Sequence, residues 1–223
     1  MLRSSTPEIN LLFEVMGTHG TIESVQRTAT YSLRILWPGG VIPYIIDATL
    51  GTPQNVKIIK NAMDHIEKET CLRFVKRTNQ ADYVRLVSKE GCYSYLGRTG
   101  GQQPLSLGRG CLYHGTVTHE LMHAVGFFHE HTNPERDRYI EVFPKNIIKE
   151  FLPQFRKLEP EDALLLTPFD YDSVMLYGSD SFTRDPNRPS MLAKDGSRLK
   201  EVYDKKGPSS SDFRRISKLY KCR

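Results

Sequence analysis
From Val41 to Ile46 the chain is an almost unbroken run of β-branched and aromatic residues, a pattern that predicts a strand. Trp37, Pro38, Gly39 and Gly40 make a turn ahead of it, and Pro43 argues for an edge position or a bulge. The period then changes from two to that of a helix. Ile59, Met63 and Ile66 recur at helical spacing behind Thr52, a capping residue, and Pro53, which suits a first turn; an amphipathic helix is predicted from there to about residue 70. Residues 83–87 and 93–96 return to a strand pattern, and 105–107 adds a shorter strand. Beyond Asn133 the pattern loosens, because Pro134, Pro144, Pro153, Pro160 and Pro168 leave room only for short helical pieces. A last helix is predicted to begin at Ser211 or Asp212, with Phe213, Ile216, Leu219 and Tyr220 at helical spacing. Residues 1–27 are polar, with scattered glycine, serine and threonine, and read as an extended leader. The whole predicts an α+β domain with mixed sheet and helix in its amino-terminal half, a mostly irregular remainder, and a cleft between them.

Composition narrows the class. With 39% hydrophobic residues, 223 residues suffice for one sizeable core. The longest apolar runs, 41–46 and 163–166, fall far short of the roughly 20 residues of a membrane helix, so no membrane partner is expected. Leu11, Leu12 and Phe13, followed at once by Glu14, are too few for the apolar centre of a signal peptide. The net charge of +5 is spread along the chain and mixed with Asp and Glu, without the clustering with aromatics of a nucleic-acid surface, so no nucleic-acid partner is expected either. Gly97, Gly100 and Gly101 are not followed by the Lys-Ser/Thr of a phosphate loop. Cys71, Cys92, Cys111 and Cys222 are even in number and contain no CxxC pair, which favours disulfides over a second zinc site and so an oxidising, extracellular location; three connectivities are open.

The chemistry is concentrated between residues 118 and 130, which contain the pattern HExxHxxGxxH. On a helix His119 and His123 lie one turn apart on one face, where two imidazoles can bind one metal, while Glu120 stands beside that face and can reach a water on the metal without being a ligand. Gly126 can adopt a left-handed conformation, end the helix, and let His129 return as a third nitrogen ligand. Three ligands leave coordination open, as in catalytic zinc sites. A lone histidine, or HExxH by itself, is commonly a coincidence, but with 7 His and 16 Gly in the chain the full pattern arises by accident in roughly one chain in tens of thousands. Imidazoles must be neutral to bind metal, which predicts that activity falls below about pH 6.

With Phe128, His129 and Glu130, and again with Ser173, Val174, Met175, Leu176 and Tyr177, the chain resembles the astacin family of metzincin metalloproteases. The resemblance continues through segments 37–44, 71–75, 91–98 and 111–131 and through Leu219 to Cys222, and so covers residues 28–223. It implies a metzincin-type two-lobed catalytic domain, with a twisted mixed sheet and two long helices ahead of an irregular lobe closed by a final helix. One catalytic Zn2+ would be held by His119, His123 and His129 together with Tyr177, a phenolic ligand able to swing off; Met175 would form an apolar floor. Glu120 and Tyr177 would be the catalytic residues of an endopeptidase acting as a secreted monomer on protein or peptide substrates. The resemblance pairs Cys71 with Cys222 and Cys92 with Cys111, and makes the strand near Tyr93 to Tyr95 the edge that a substrate joins.

Residues 1–27 would be a zymogen leader, removed after Arg27 by an activating trypsin-like protease so that Glu130 receives the new amino terminus at Thr28. The family's Phe-x-Gly-Asp switch is absent, because Phe13 is followed by Glu14, Val15 and Met16; Glu14 and His19 are the groups left to replace the aspartate. The stretch 204–211 is a contributor to substrate subsites by position alone. The alternative on the same scaffold is a catalytically silent secreted binding protein, against which intact His119, Glu120, His123, His129 and Tyr177 argue.

Overall fold
A computed structural model describes residues 35–223. Its order is β1 (Val41–Ile46), α1 (Pro53–Glu69), β2 (Arg73–Lys76), β3 (Tyr83–Val87), β4 (Cys92–Ser94), β5 (Gln102–Leu107), α2 (His114–Val125), β6 (Ile140–Val142), β7 (Met191–Ala193) and α3 (Ser210–Tyr220). Five strands form one mixed sheet in the order β2-β1-β3-β5-β4, in which only β4 runs antiparallel to its neighbour. β6 and β7 make a separate two-stranded ribbon among the short 3-10 turns of the carboxy-terminal lobe. No helix among the described residues is long and apolar enough to cross a membrane.

Several boundaries differ from the sequence reading, each for a physical reason. Pro43 is not on an edge strand, because β1 lies between β2 and β3. It is tolerated because it stands opposite Val75 while pairing with β3 begins only at Tyr44. Pro104 repeats the device in β5, paired with Arg85 on one side and lying just before the pairing with β4 starts at Leu105. β5 therefore begins at Gln102, earlier than its apolar residues suggest. Gln103 in it is buried, its amide donating to the Gly97 carbonyl at 2.7 Å and accepting from the Thr99 N–H at 3.0 Å. β4 is shorter than the predicted 93–96, since the chain turns away at Gly97 (φ +63), where a side chain would meet the Ile35 carbonyl at 2.5 Å. α3 starts at Ser210, because of the three consecutive serines only Ser209 has the spacing to form a capping box with Asp212.

α1 obeys its pattern. Thr52 caps it by accepting the Asn55 N–H, and Ile59, Ala62, Met63 and Ile66 are buried against the core. The two disulfides are Cys71–Cys222, which ties the end of α1 to the end of α3, and Cys92–Cys111, which closes the hairpin of β4 and β5. With its cysteines 19 positions apart, the second bridge restricts the unfolded chain by about 3 kcal/mol. A Cys92→Ala/Cys111→Ala protein is expected to unfold at correspondingly lower denaturant concentration, and an unchanged midpoint would contradict this.

Candidate functional site
α2 carries the first two histidines and is held unusually completely at its end. A helix leaves its last four carbonyls without partners inside the helix. Here the Met122 carbonyl accepts from Gly126 and Phe127, His123 from Gly126 and Gly97, Ala124 from the Trp37 indole at 2.8 Å, and Val125 from the Tyr220 hydroxyl at 2.7 Å. Three distant parts of the chain, at Trp37, Gly97 and Tyr220, thus fix the axis on which His119, Glu120 and His123 stand. Gly126 has φ +122, a backbone open mainly to glycine, and the sharp turn brings His129 back onto the same face.

The Nε2 atoms of His119, His123 and His129 form a triangle with edges of 3.0 to 3.1 Å, deep in the protein. His119 Nδ1 is 2.8 Å from the Val174 carbonyl and His123 Nδ1 is 2.8 Å from that of Phe127. A carbonyl only accepts, so both Nδ1 atoms carry the proton and both Nε2 atoms turn lone pairs into the triangle. Converging lone pairs repel one another unless a cation lies between them, and a point about 2.0–2.1 Å from every corner exists on the triangle's axis, which is the Zn–N bond length. Both oxygens of fully buried Glu120 lack a protein partner, as suits a carboxylate reserved for a water or substrate. Donor set and orphaned carboxylate together fit zinc.

Burial sets the protonation states. It lowers His119 and His129 well below the ordinary imidazole value, His123 to about 4, and raises Glu120 well above the ordinary carboxyl value. Tyr177 is raised well above the usual phenol by burial and by Glu120, so it keeps its proton. Its ring lies 4.3 Å from that of His129 and stacks at 4.3 Å on that of His131, the two imidazoles being 5.2 Å apart. His131 is buried too, held by the Gln154 carbonyl at 2.9 Å and lowered to about 3. An unfolded chain binds protons at these histidines near pH 6.5, which the folded chain refuses. The stability they contribute is present above that pH and is lost as pH falls toward about 4 for His123 and about 3 for His131. Glu120, raised by burial, works in the opposite sense, so the histidine effect is read in a chelated, metal-free Glu120→Gln protein, whose melting temperature is expected to fall from pH 7 to 4; a flat profile there would exclude this account.

The turn 173–177 is fully buried, and the residues that grip it were not singled out by the sequence. Asp212, in the first turn of α3, accepts from the Ser173 hydroxyl at 2.7 Å and the Val174 N–H at 2.8 Å. Val174 is the residue whose carbonyl orients His119, so α3 positions a metal-binding imidazole through one residue. Lys205 donates to the Ser173 and Leu176 carbonyls at 2.7 and 2.6 Å, and burial lowers it to about 8. The stretch 204–211, assigned by position to substrate subsites, is in part this buried support: Lys205, Gly207, Pro208 and Ser211 are all buried. Glu130 receives both guanidinium nitrogens of Arg215 at 2.7 Å and the Asp170 N–H at 3.0 Å, while its own N–H donates to the Met175 carbonyl. Its expected partner, the amino terminus at Thr28, lies outside the described residues, as do the leader 1–27 and Phe13, Glu14, His19 and Arg27.

Comparison with known proteins agrees with this geometry. The model of the peptidase family described as "Astacin" matches residues 29–221. "Astacin-like metalloprotease toxin 1" of Loxosceles intermedia is 41% identical over 88% of this chain and 75% of its own length. "Zinc metalloproteinase nas-6" of Caenorhabditis elegans is 40% identical over 85% of this chain, which spans only 55% of that longer protein. The solved structure of "High choriolytic enzyme 1", a hatching enzyme zinc-protease from Oryzias latipes, superimposes with a TM-score of 0.79 and 40% identity, covering 88% of this chain and 99% of that one. The fold is thus the two-lobed metzincin type, His119, His123 and His129 are its zinc-binding cluster, and the chain belongs to the astacin family of zinc metalloendopeptidases.

Proposed function
We propose that the protein is a secreted, monomeric endopeptidase that hydrolyses internal peptide bonds of extended protein substrates with Glu120 as proton carrier. The observation that carries the reading is the Glu120 carboxylate, buried with both oxygens unengaged beside three converging imidazoles. His119, His123 and His129 would hold zinc, which when bound would supply Lewis acidity for a water and for the scissile carbonyl. Glu120, whose two oxygens are unengaged, would take a proton from the attacking water as the water's oxygen bonds to the carbonyl carbon. It then returns the proton to the departing amine nitrogen as the C–N bond breaks. Tyr177 would be a fourth ligand at rest and, once swung off, a donor whose phenolic proton would hydrogen-bond the oxyanion, which exists only after attack.

β4 ends its sheet among the described residues, pairing with β5 on one side, and on its other side an extended peptide can add as a further strand. Two disulfides support secretion. Residues 1–27 are the leader and 28–223 the active domain, released by a trypsin-like cleavage after Arg27.

Gelatin hydrolysis tests the reading. The 28–223 form is expected to cleave gelatin, to lose activity with a zinc chelator and to regain it on zinc addition; a folded, zinc-loaded protein that cleaves neither gelatin nor a broad peptide library would return the silent-scaffold alternative. Running the uncleaved chain beside it tests the leader, since equal activity would rule out latency.

A further inference from the structure
A second pair of histidines lies outside the catalytic centre. His65 of α1 and His114, the first residue of α2, are 49 positions apart in sequence, yet His65 Nδ1 and His114 Nε2 stand 3.4 Å from each other. Their rings are inclined by only 26° with centroids 5.6 Å apart, so the two nitrogens face each other edge to edge. That separation is longer than the 2.7–3.2 Å of ordinary hydrogen bonds. Two nitrogens each about 2.0–2.1 Å from one tetrahedral ion, by contrast, stand roughly 3.3–3.4 Å apart.

The surroundings keep the place beside both nitrogens clear. Gly207, in the loop ahead of α3, has φ +116, and a Cβ on it would come within 2.7 Å of His65 Nδ1 and 3.0 Å of His114 Nε2. A side chain there would fill the space next to both donors; glycine leaves it empty. Phe213 of α3 closes the far side of His65, edge-on at 5.4 Å. Both imidazoles are only half-buried, so solvent can complete a coordination shell. Burial, and then His65, lower the pKa of His114, which leaves it neutral and able to donate a lone pair near pH 7.

We propose that His65 and His114 form a second, noncatalytic site for a transition-metal dication of the zinc, nickel or copper type, which bridges α1 to the start of α2 under the loop at Gly207. Imidazole donors select such ions over magnesium or calcium. The site adds a cross-link between the two long helices and bears on the loop that supplies Lys205 to the buried turn 173–177.

The test is calorimetric titration of zinc, and separately of nickel, into the full chain already holding one zinc. One further equivalent is expected for the parent protein and none for His65→Gln or His114→Gln, with both variants keeping their catalytic zinc and, as the 28–223 form, their gelatin hydrolysis. No further equivalent in the parent, or a further equivalent that survives both substitutions, overturns the proposal. Imidazole NMR of the parent needs no variant: the added zinc should shift the His65 and His114 ring nitrogens, and resonances that do not move at saturation would equally refute it.

Discussion
Replacing Glu120 by glutamine is expected to lower kcat/KM by about 10²–10⁴-fold while leaving one zinc bound, a loss of roughly 2.7–5.5 kcal/mol of transition-state stabilisation. Glutamine keeps the shape of the side chain, so the packing around α2 is retained, and the three imidazoles do not depend on the carboxylate for their orientation: His119 and His123 are held by the carbonyls of Val174 and Phe127. What is lost is the group proposed to accept and return a proton. Its two oxygens make no hydrogen bond to the protein, so the substitution removes no internal contact that would confuse the reading. The loss should therefore fall in kcat, with KM little changed, because the strand addition proposed along β4 involves other atoms. Metal analysis and steady-state kinetics on the same preparation check both halves. Near-normal kcat with zinc present would remove Glu120 from the mechanism; loss of zinc would make it a structural support instead.

The sequence disclosed this centre because its chemistry is local. His119, Glu120, His123 and Gly126 lie within about two turns of one helix and its cap, and the positive φ of Gly126 is what a glycine three residues after the second histidine is for. α1 was equally legible, since cap, proline and apolar period agree. Legibility ends where burial is decided by distant partners. Gln103 reads as surface and is buried, because its amide matches the backbone of Gly97 and Thr99. Lys205 reads as a charged loop residue and is buried, because two carbonyls about thirty positions earlier need a donor. β6 and β7 are three residues each and pair across some fifty positions, too short to show a period. The disulfide pairing followed from family resemblance alone, as four cysteines allow three patterns.

Arg215→Met is expected to cost about 3–5 kcal/mol, because it leaves Glu130 buried with no cation beside it. Arg215 and Glu130 share two parallel contacts of 2.7 Å with side chains only 8% and 7% exposed, and the guanidinium is further fixed by the Thr167 hydroxyl at 2.6 Å. Methionine fills a similar volume, so the effect comes from the charge and not from a cavity. Burial already pushes the Glu130 carboxyl above its ordinary value even with Arg215 present, and removing the arginine, which lowers it, should push it higher still. The double variant Glu130→Gln/Arg215→Met tests that cause, since with neither charge present it should lose less than the two single variants added together. Strict additivity in chemical denaturation would mean that the pair is not coupled. A second readout concerns the metal. Glu130 follows His129 and its N–H is bonded to the Met175 carbonyl, so disturbing the pair should weaken zinc by about 10- to 100-fold, the range for supports of metal ligands. Stability lost with zinc affinity unchanged would make this pair a clamp between α3 and the body of the protein. Loss of both would show that α3 helps to hold the third histidine in place.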